Sequence, residues 1–567
     1  MSTISNRPIN AKAYGVRIRE SRFLLIGYLI GVALTLIVEL VGAPPLGGAD
    51  IYIFKDAGCN SAKGLGFTAF GIPGAMGPQR RLYASYTPVF PFTFGLYAKL
   101  LGCNAESNAW FNWTLGIVTT TFLVLLVGSR IVFRPFLGAG LGLLVGLAAP
   151  SGLVTMDGDR PEVLALAFFL TTCVVAGSRR FYWHCVAAPL LAGCTFLVHP
   201  FAGASAGLVV WCSAMSDPTT VMGKGANWSA IRSAIVNSLV ISAWFFAPIG
   251  LVASIYRHLD PTAFGRFFSH ALGYQPQGGG YTGLGTIAHF GIFHLLRRTL
   301  SFEGKFQALG MLAFAASISV IILAAIRSGR LLLNRQYILV FGFVLIVSLG
   351  CLFLFPRQSY YMDFARAIFV IVFLLSSELF HIRFDAMTTV VPLMLLCVIS
   401  VYPFEVRADL MRVQLAQSWR QAGTQVDLLA EVVGQSRDKG VFVVPAAMYM
   451  LYKPKFPLLL NIFKTDPAAY ITRMKETDRA LKVMGIAVCD RLVMPGHENH
   501  SVDFYLREPL TMVAQHQVID IFSLGSVKST WGWSCDQYLV KKGTSREARS
   551  TDNGRPALTS WQRNLTN

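Results

Sequence analysis

Residues 23–58 read FLLIGYLIGVALTLIVELVGAPPLGGADIYIFKDAG, an apolar run broken only by Glu39, followed by a Gly/Pro-rich break and a short stretch carrying Asp50, Lys55 and Asp56. The run at 23–41 is long enough, as helix, to cross a hydrocarbon core of roughly 30 Å. It is too long for the apolar core of a cleaved signal and lacks a small-residue cleavage site, so it is expected to remain as a first span. Similar runs of about 16 to 25 residues recur up to 402 and then stop, which predicts a polytopic α-helical membrane protein. The composition agrees: the chain has 567 residues, 54% of them hydrophobic and 14% charged, with a mean hydropathy of +0.51. Soluble domains carry about 25% charged residues, so lipid is the solvent for most of this chain.

The candidate spans are 23–41, 108–128, 136–154, 163–177, 182–198, 201–215, 231–255, 306–326, 337–355, 365–380 and 387–402, about eleven in all. The segment 88–101 contains Pro88, Pro91 and Lys99 and is read as an interfacial or re-entrant helix. With that assignment, alternation places Arg17, Arg19, Arg22, Arg130, Arg134, Arg179, Arg180, Lys224, Arg232, Arg327, Arg330, Arg335 and Arg383 on one side, which the positive-inside rule makes cytoplasmic. The opposite side receives 42–107, 155–162, the turn at His199, 256–305, 356–366 and everything after 404. The net charge of +19 is thereby explained as topology, and no nucleic-acid partner is expected.

Most Asp, Glu, His and Arg residues that do not anchor the inner side fall in these outer loops. Asp50 follows the first span closely, at the level where a lipid-borne phosphate lies. A carboxylate there is placed to act as general base toward an acceptor hydroxyl, with Asp56 as second candidate. A solvated loop residue or a helix cap is the plainer use of Asp50. Asp157 and Asp159 are spaced like hard ligands for Mg2+ or Mn2+, but no third ligand is identifiable and no residue is assigned to metal. Pro161 suits a first helical turn, and Glu162 complements a helix N-terminus.

Positive charge on the outer side needs its own explanation. Arg357 and Arg366 are candidates for bidentate contact with a departing phosphate, with an ion pair to Asp363 as the alternative. Tyr360, His199, His258 and Arg266 complete the candidate substrate contacts, although Tyr and lone His residues at a membrane boundary commonly serve as interfacial groups. The segment 274–281, with Tyr274 and Tyr281 flanking Gln and Gly residues, is either a closing loop or a linker.

Four local features resemble the GT-C glycosyltransferases, integral membrane enzymes that use polyprenyl-phosphate sugars. They are Asp50-x-x-x-x-Lys55-Asp56-Ala57 after the first span, the segment Tyr86-Thr87-Pro88-Val89-Phe90-Pro91, the link Asp159-Arg160-Pro161-Glu162 opening a later span, and a hydrophilic portion behind the membrane part. The resemblance implies that Asp50 is the catalytic base and that 157–162 lies beside the active site, contacting donor or acceptor. It implies a polyprenyl-phosphate sugar donor, a glycan or glycolipid acceptor and membrane lipids as surroundings; a bacterial inner membrane is expected, with the N-terminus cytoplasmic by the positive-inside assignment.

Residues 1–404 thus form the expected membrane module, 405–544 a small extracytoplasmic α/β domain and 545–567 a loose tail. The α/β reading rests on helical patterning over 408–433 and 468–483 and on short β-branched runs at 441–444, 486–489 and 518–521. Trp531 and Trp533 are candidates for sugar stacking or for core packing. Among ten cysteines there is no metal-site spacing. Cys59 with Cys103, and Cys489 with Cys535, are either disulfides or free thiols. The competing functions are a transporter or flippase of a lipid-linked or anionic substrate, for which Glu39 and Glu378 are the main intramembrane acids, and an oligosaccharide ligase or polymerase.

Overall fold

The computed structural model describes residues 11–42, 44, 51–69, 81–84, 86–130, 135–150, 160–176, 182–215 and 228–272, and, further on, seven positions between 413 and 430, then 441–444, 449–456, 459–460, 483–491, 520–528 and 533–541. In chain order the elements are α1 (Ala11–Val41), α2 (Ile51–Phe54), α3 (Asp56–Ala62), β1 (Thr68–Ala69), β2 (Arg81–Leu82), α4 (Val89–Leu101), α5 (Ala105–Arg130), α6 (Pro135–Leu147), α7 (Glu162–Ala176), a π-helical turn (Trp183–Ala187), α8 (Ala188–Val198), α9 (Pro200–Met215), α10 (Trp228–Leu259) and α11 (Pro261–Leu272). They are followed by β3 (Val441–Val443), α12 (Tyr449–Tyr452), β4 (Leu459–Leu460), β5 (Val483–Arg491), β6 (Asp520–Lys528) and β7 (Trp533–Lys541).

Three described helices are long and apolar enough to cross a bilayer, over Arg22–Val41, Ala105–Gly128 and Ile235–Leu259. α6, α7, α8 and α9 are shorter apolar helices packed among them. The expected spans at 306–326, 337–355, 365–380 and 387–402 lie outside the described residues.

α1 and α6 approach backbone to backbone. A methyl group built on Gly142 would overlap the carbonyl oxygen of Leu24, and one on Gly146 that of Tyr28; on Gly27 and Gly31 it would overlap Ala139 and Leu143. In lipid, where apolar surface gains nothing by leaving solvent, such small-residue contact and interhelical hydrogen bonds hold helices together. The bonds are present: Tyr28 Oη meets Thr121 Oγ1 at 2.8 Å and Thr120 Oγ1 at 2.9 Å on α5, and Thr35 Oγ1 donates to the Leu147 carbonyl of α6 at 3.1 Å. The outward flank of α1, with Leu29, Ile30, Leu34 and Ile37, is exposed and apolar, as a lipid-facing surface must be.

Several boundaries differ from the sequence expectation. The run 136–154 is helical only to Leu147, then turns through 148–150, because Pro150 disfavours helical geometry at Ala149. The segment beginning at 256, expected as loop, is helical: α10 continues to Leu259 and α11 starts at Pro261. Asp260 caps α11, its Oδ1 accepting from Thr262 N at 2.9 Å and Ala263 N at 3.2 Å, with proline at the first helical position. The expected helix 468–483 ends too late, since Val483 opens β5 and pairs with Val441.

The 13-residue α4 spans about 20 Å. It buries Phe90, Phe94, Gly95 and Ala98 against the rest of the chain and leaves Phe92, Leu96 and Leu100 exposed. Cys59 on α3 is bonded to Cys103 ahead of α5. The C-terminal strands form a five-stranded mixed sheet in the order β4-β3-β5-β7-β6, with β3 parallel to β4 and β5, and β5, β7 and β6 antiparallel. Cys489 and Cys535 are register partners on β5 and β7.

Substituting Gly142 by Leu is expected to destabilise the α1/α6 pair by about 1–3 kcal/mol or to prevent folding, whereas Gly140→Ala, where a Cβ meets nothing within 4 Å, is expected to be neutral. Thermal unfolding in detergent reads the difference, and equal midpoints for the two variants would refute the close contact.

Candidate functional site at one end of the bundle

The N-termini of α5, α7 and α9 and the C-termini of α8 and α10 gather at one end of the bundle, together with α2, α3, Tyr83, Ala84 and residues 86–88. Thr87 Oγ1 donates to the Val198 carbonyl at 2.8 Å, and Tyr256 Oη donates to the Tyr83 carbonyl. A helix pair explains the meeting of Glu162 and His199: Glu162 opens α7, His199 follows α8, and two antiparallel helices return the chain to the level at which it left.

There Arg160 Nε donates to Glu162 Oε1 at 3.1 Å, and His199 Nε2 lies 3.9 Å from the same oxygen. Glu162 is fully buried, His199 is 3% exposed and Arg160 8%. Glu162 Oε2 has no hydrogen-bond partner among the described residues. The cluster has aromatic walls: the Arg160 guanidinium stands over the Phe54 ring at 5.3 Å, Phe54 meets Tyr86 edge-on at 5.2 Å, and the rings of Tyr86 and His199 are 6.1 Å apart. Burial, aided by the Arg160 charge, lowers the His199 pKa to about 3. The imidazole is therefore neutral at ordinary pH and is not a cation.

A second group lies alongside. Tyr256 stacks on Phe267 of α11 with centroids 5.2 Å apart, and Arg266 on the same helix is 3.6 Å from Asp260. His258 is exposed in the last turn of α10. The structure thus joins Arg160, Glu162 and His199 directly, seats Arg266 on the neighbouring helix and leaves His258 on the surface. Asp50, Asp157, Asp159, Arg357, Tyr360 and Arg366 lie outside the described residues, as do Glu378 and the segment 274–281. Among the described residues no group of three or more His, Cys, Asp or Glu forms a metal cage.

Asp56 occupies a different environment. Fully buried, its Oδ1 accepts from Tyr449 Oη at 2.6 Å and Lys453 Nζ at 2.9 Å, and its Oδ2 from Asn60 Nδ2 at 3.2 Å. Lys55, its neighbour, is also fully buried; its ammonium donates to Asn112 Oδ1 at 2.9 Å and to Asn108 Oδ1, with the Phe94 ring 5.0 Å away. Sequence reasoning passed over Lys55, Tyr449 and Lys453. Lys55 carried a detectable signal, being the cation in the quoted first-loop motif; Tyr449 and Lys453 carried none.

No protein-family profile and no curated protein matches the chain. Solved structures similar to it include the following two. The oligosaccharyltransferase of Archaeoglobus fulgidus, in complex with Zn and sulfate, is 14% identical over 82% of this chain and 67% of its own, with a TM-score of 0.39. ArnT from Cupriavidus metallidurans, bound to undecaprenyl phosphate, is 13% identical over 90% of this chain and 97% of its own, with a TM-score of 0.49.

Because the unfolded imidazole titrates near 6.5 and the folded one near 3, His199 contributes stability that is fully present above about pH 6.5 and is lost as pH falls toward the folded value. Between pH 7.5 and 5 the wild-type melting temperature in detergent is expected to fall further than that of His199→Gln. Parallel losses would exclude the buried neutral imidazole.

Proposed function

We propose that the chain transfers a sugar from a polyprenyl-phosphate-linked donor to a glycan or glycolipid acceptor at the outer face of a bacterial inner membrane. The observation that carries this reading is the buried Arg160–Glu162–His199 cluster at the end of the bundle where the acid-bearing first loop also packs. A guanidinium, a carboxylate with one oxygen open to a donor, a neutral imidazole and aromatic walls form a set suited to sugar hydroxyls and to a phosphate-borne leaving group.

In this reading Asp50 is the general base. It directly precedes α2 in the chain, and α2 carries Phe54 against Arg160. Asp56 is engaged with Lys453 and Tyr449 and is assigned a structural task. Asp50 removes the proton of the acceptor hydroxyl as it attacks the anomeric carbon, while Arg160 and the outer guanidiniums of Arg357 and Arg366 face the charge that grows on the lipid phosphate. Asp157, Asp159, His258, Arg266 and Tyr360 are assigned in this reading to donor and acceptor contact, and a divalent cation held by Asp157 and Asp159 would add positive charge toward the same phosphate. The activated donor supplies the free energy. The Cys59–Cys103 bond supports the topology, because disulfides persist in oxidising compartments.

Purified protein in detergent, assayed against a panel of polyprenyl-phosphate hexoses and pentoses, is expected to consume one donor class. Asp50→Asn should lower the rate by on the order of 10²–10⁴-fold with folding intact. Failure of every donor, or full activity of Asp50→Asn, would defeat the proposal. Peptide mapping without reductant should recover Cys59 linked to Cys103 from membrane-extracted protein; free thiols at both positions would remove the outer-face assignment.

A further inference from the structure

The first outer loop and the C-terminal segment meet through a set of buried polar contacts that the sugar-transfer chemistry does not use. Tyr52 Oη donates to the Val444 carbonyl at 2.7 Å, and the rings of Tyr52 and Tyr449 meet edge-on at 4.6 Å. Lys453 Nζ bridges Asp56 Oδ1 at 2.9 Å and Asn60 Oδ1 at 2.7 Å, and Asn60 Nδ2 donates onward to the Thr68 carbonyl at 2.7 Å. Lys63 Nζ returns the contact, donating to the carbonyls of Lys453 and Pro454. Asp56 is 0% and Lys453 1% exposed.

A buried ion pair is a weak source of net stability, since desolvation of both charges offsets their attraction; well-packed apolar side chains of similar volume do as well. What such a pair supplies is one docking geometry, because any displacement leaves a charge buried without its partner. Here the geometry is delivered to the site. Only Lys55 separates Asp56 from Phe54, whose ring lies under the Arg160 guanidinium, and Lys55 is itself held between Asn108 and Asn112 of α5. The corner between α2 and α3 is thus pinned by the C-terminal segment on one side and the bundle on the other, with the Cys59–Cys103 bond fixing the middle of α3.

We propose that the C-terminal segment is a positioning element of the substrate site: Lys453 and Tyr449 hold Asp56 so that Phe54 keeps Arg160 set against Glu162. Lys453 is then a positioning residue that touches no substrate. The activity arm of the test rests on the sugar-transfer reading; a second arm does not.

The informative variant is the double change Asp56→Asn with Lys453→Met, which removes both charges together and leaves no unpaired ion, and it is compared with Lys453→Met alone in full-length protein in detergent. The double variant is expected to melt close to wild type and to lose kcat by on the order of 10²-fold, the scale of a small misplacement at a reacting centre, while the donor KM changes little. Wild-type kcat in a well-folded double variant would overturn the proposal, because a contact that merely stabilised the fold would give that result. The second arm is limited proteolysis: both variants should release a C-terminal fragment faster than wild type, and equal rates would overturn the clamp. If wild-type protein consumes no donor, the sugar-transfer reading fails by itself and the clamp is decided by proteolysis alone.

Discussion

A carboxylate and an ammonium that are both out of water must find each other, and Asp56 and Lys453 do so at 2.9 Å across 397 positions of sequence. Because each would be costly alone, the pair leaves the first loop and the C-terminal segment one way to fit. Tyr449, Asn60 and Tyr52 add hydrogen bonds that share this geometry, and the apolar residues around them, Phe442, Met450, Tyr452 and Phe456, belong to the same buried core as Ile51, Tyr52 and Phe54. The first loop and the C-terminal segment are therefore packed through one continuous interior, and the short helix α2 sits where they join.

The bundle obeys a different constraint. In a bilayer, helices gain little from hiding apolar surface, so α1 and α6 rely on glycines that let backbones touch and on hydroxyls that bond between helices. That rigid packing brings several helix ends to one level and makes a shallow set of loops converge. Glu162 and His199 are 37 positions apart in the chain and 3.9 Å apart in space because two helices run out and back between them. Their burial matters for chemistry: His199 is kept neutral, so the positive charge of the cluster resides on Arg160.

Much of the architecture was readable from residue pattern alone. α1, α5, α7, α9 and α10 lie where uninterrupted apolar runs put them, since a length of hydrocarbon core selects a length of apolar helix. α4 was legible as a short helix of about its observed length, bounded by Pro88 and Gly102. The early end of α6 was also written in the chain, at Ala149-Pro150, and the start of α11 in Asp260-Pro261-Thr262, a cap and first-turn pattern that the apolar-run reading overlooked. Arg160 and Glu162 stood out together in one link, and His199 by itself, as polar residues at the ends of spans.

The sequence by itself determined that this is a membrane protein, where several of its helices run, and which polar residues stand at one end of them, because hydropathy and helix punctuation act over a few turns and need no distant partner. Only the tertiary structure decided that Arg160, Glu162 and His199 share one buried cluster, and that Asp56 is bound to Lys453 and Tyr449. Those outcomes depend on which surfaces exclude water together, and burial is a property of the assembled chain that no local pattern encodes.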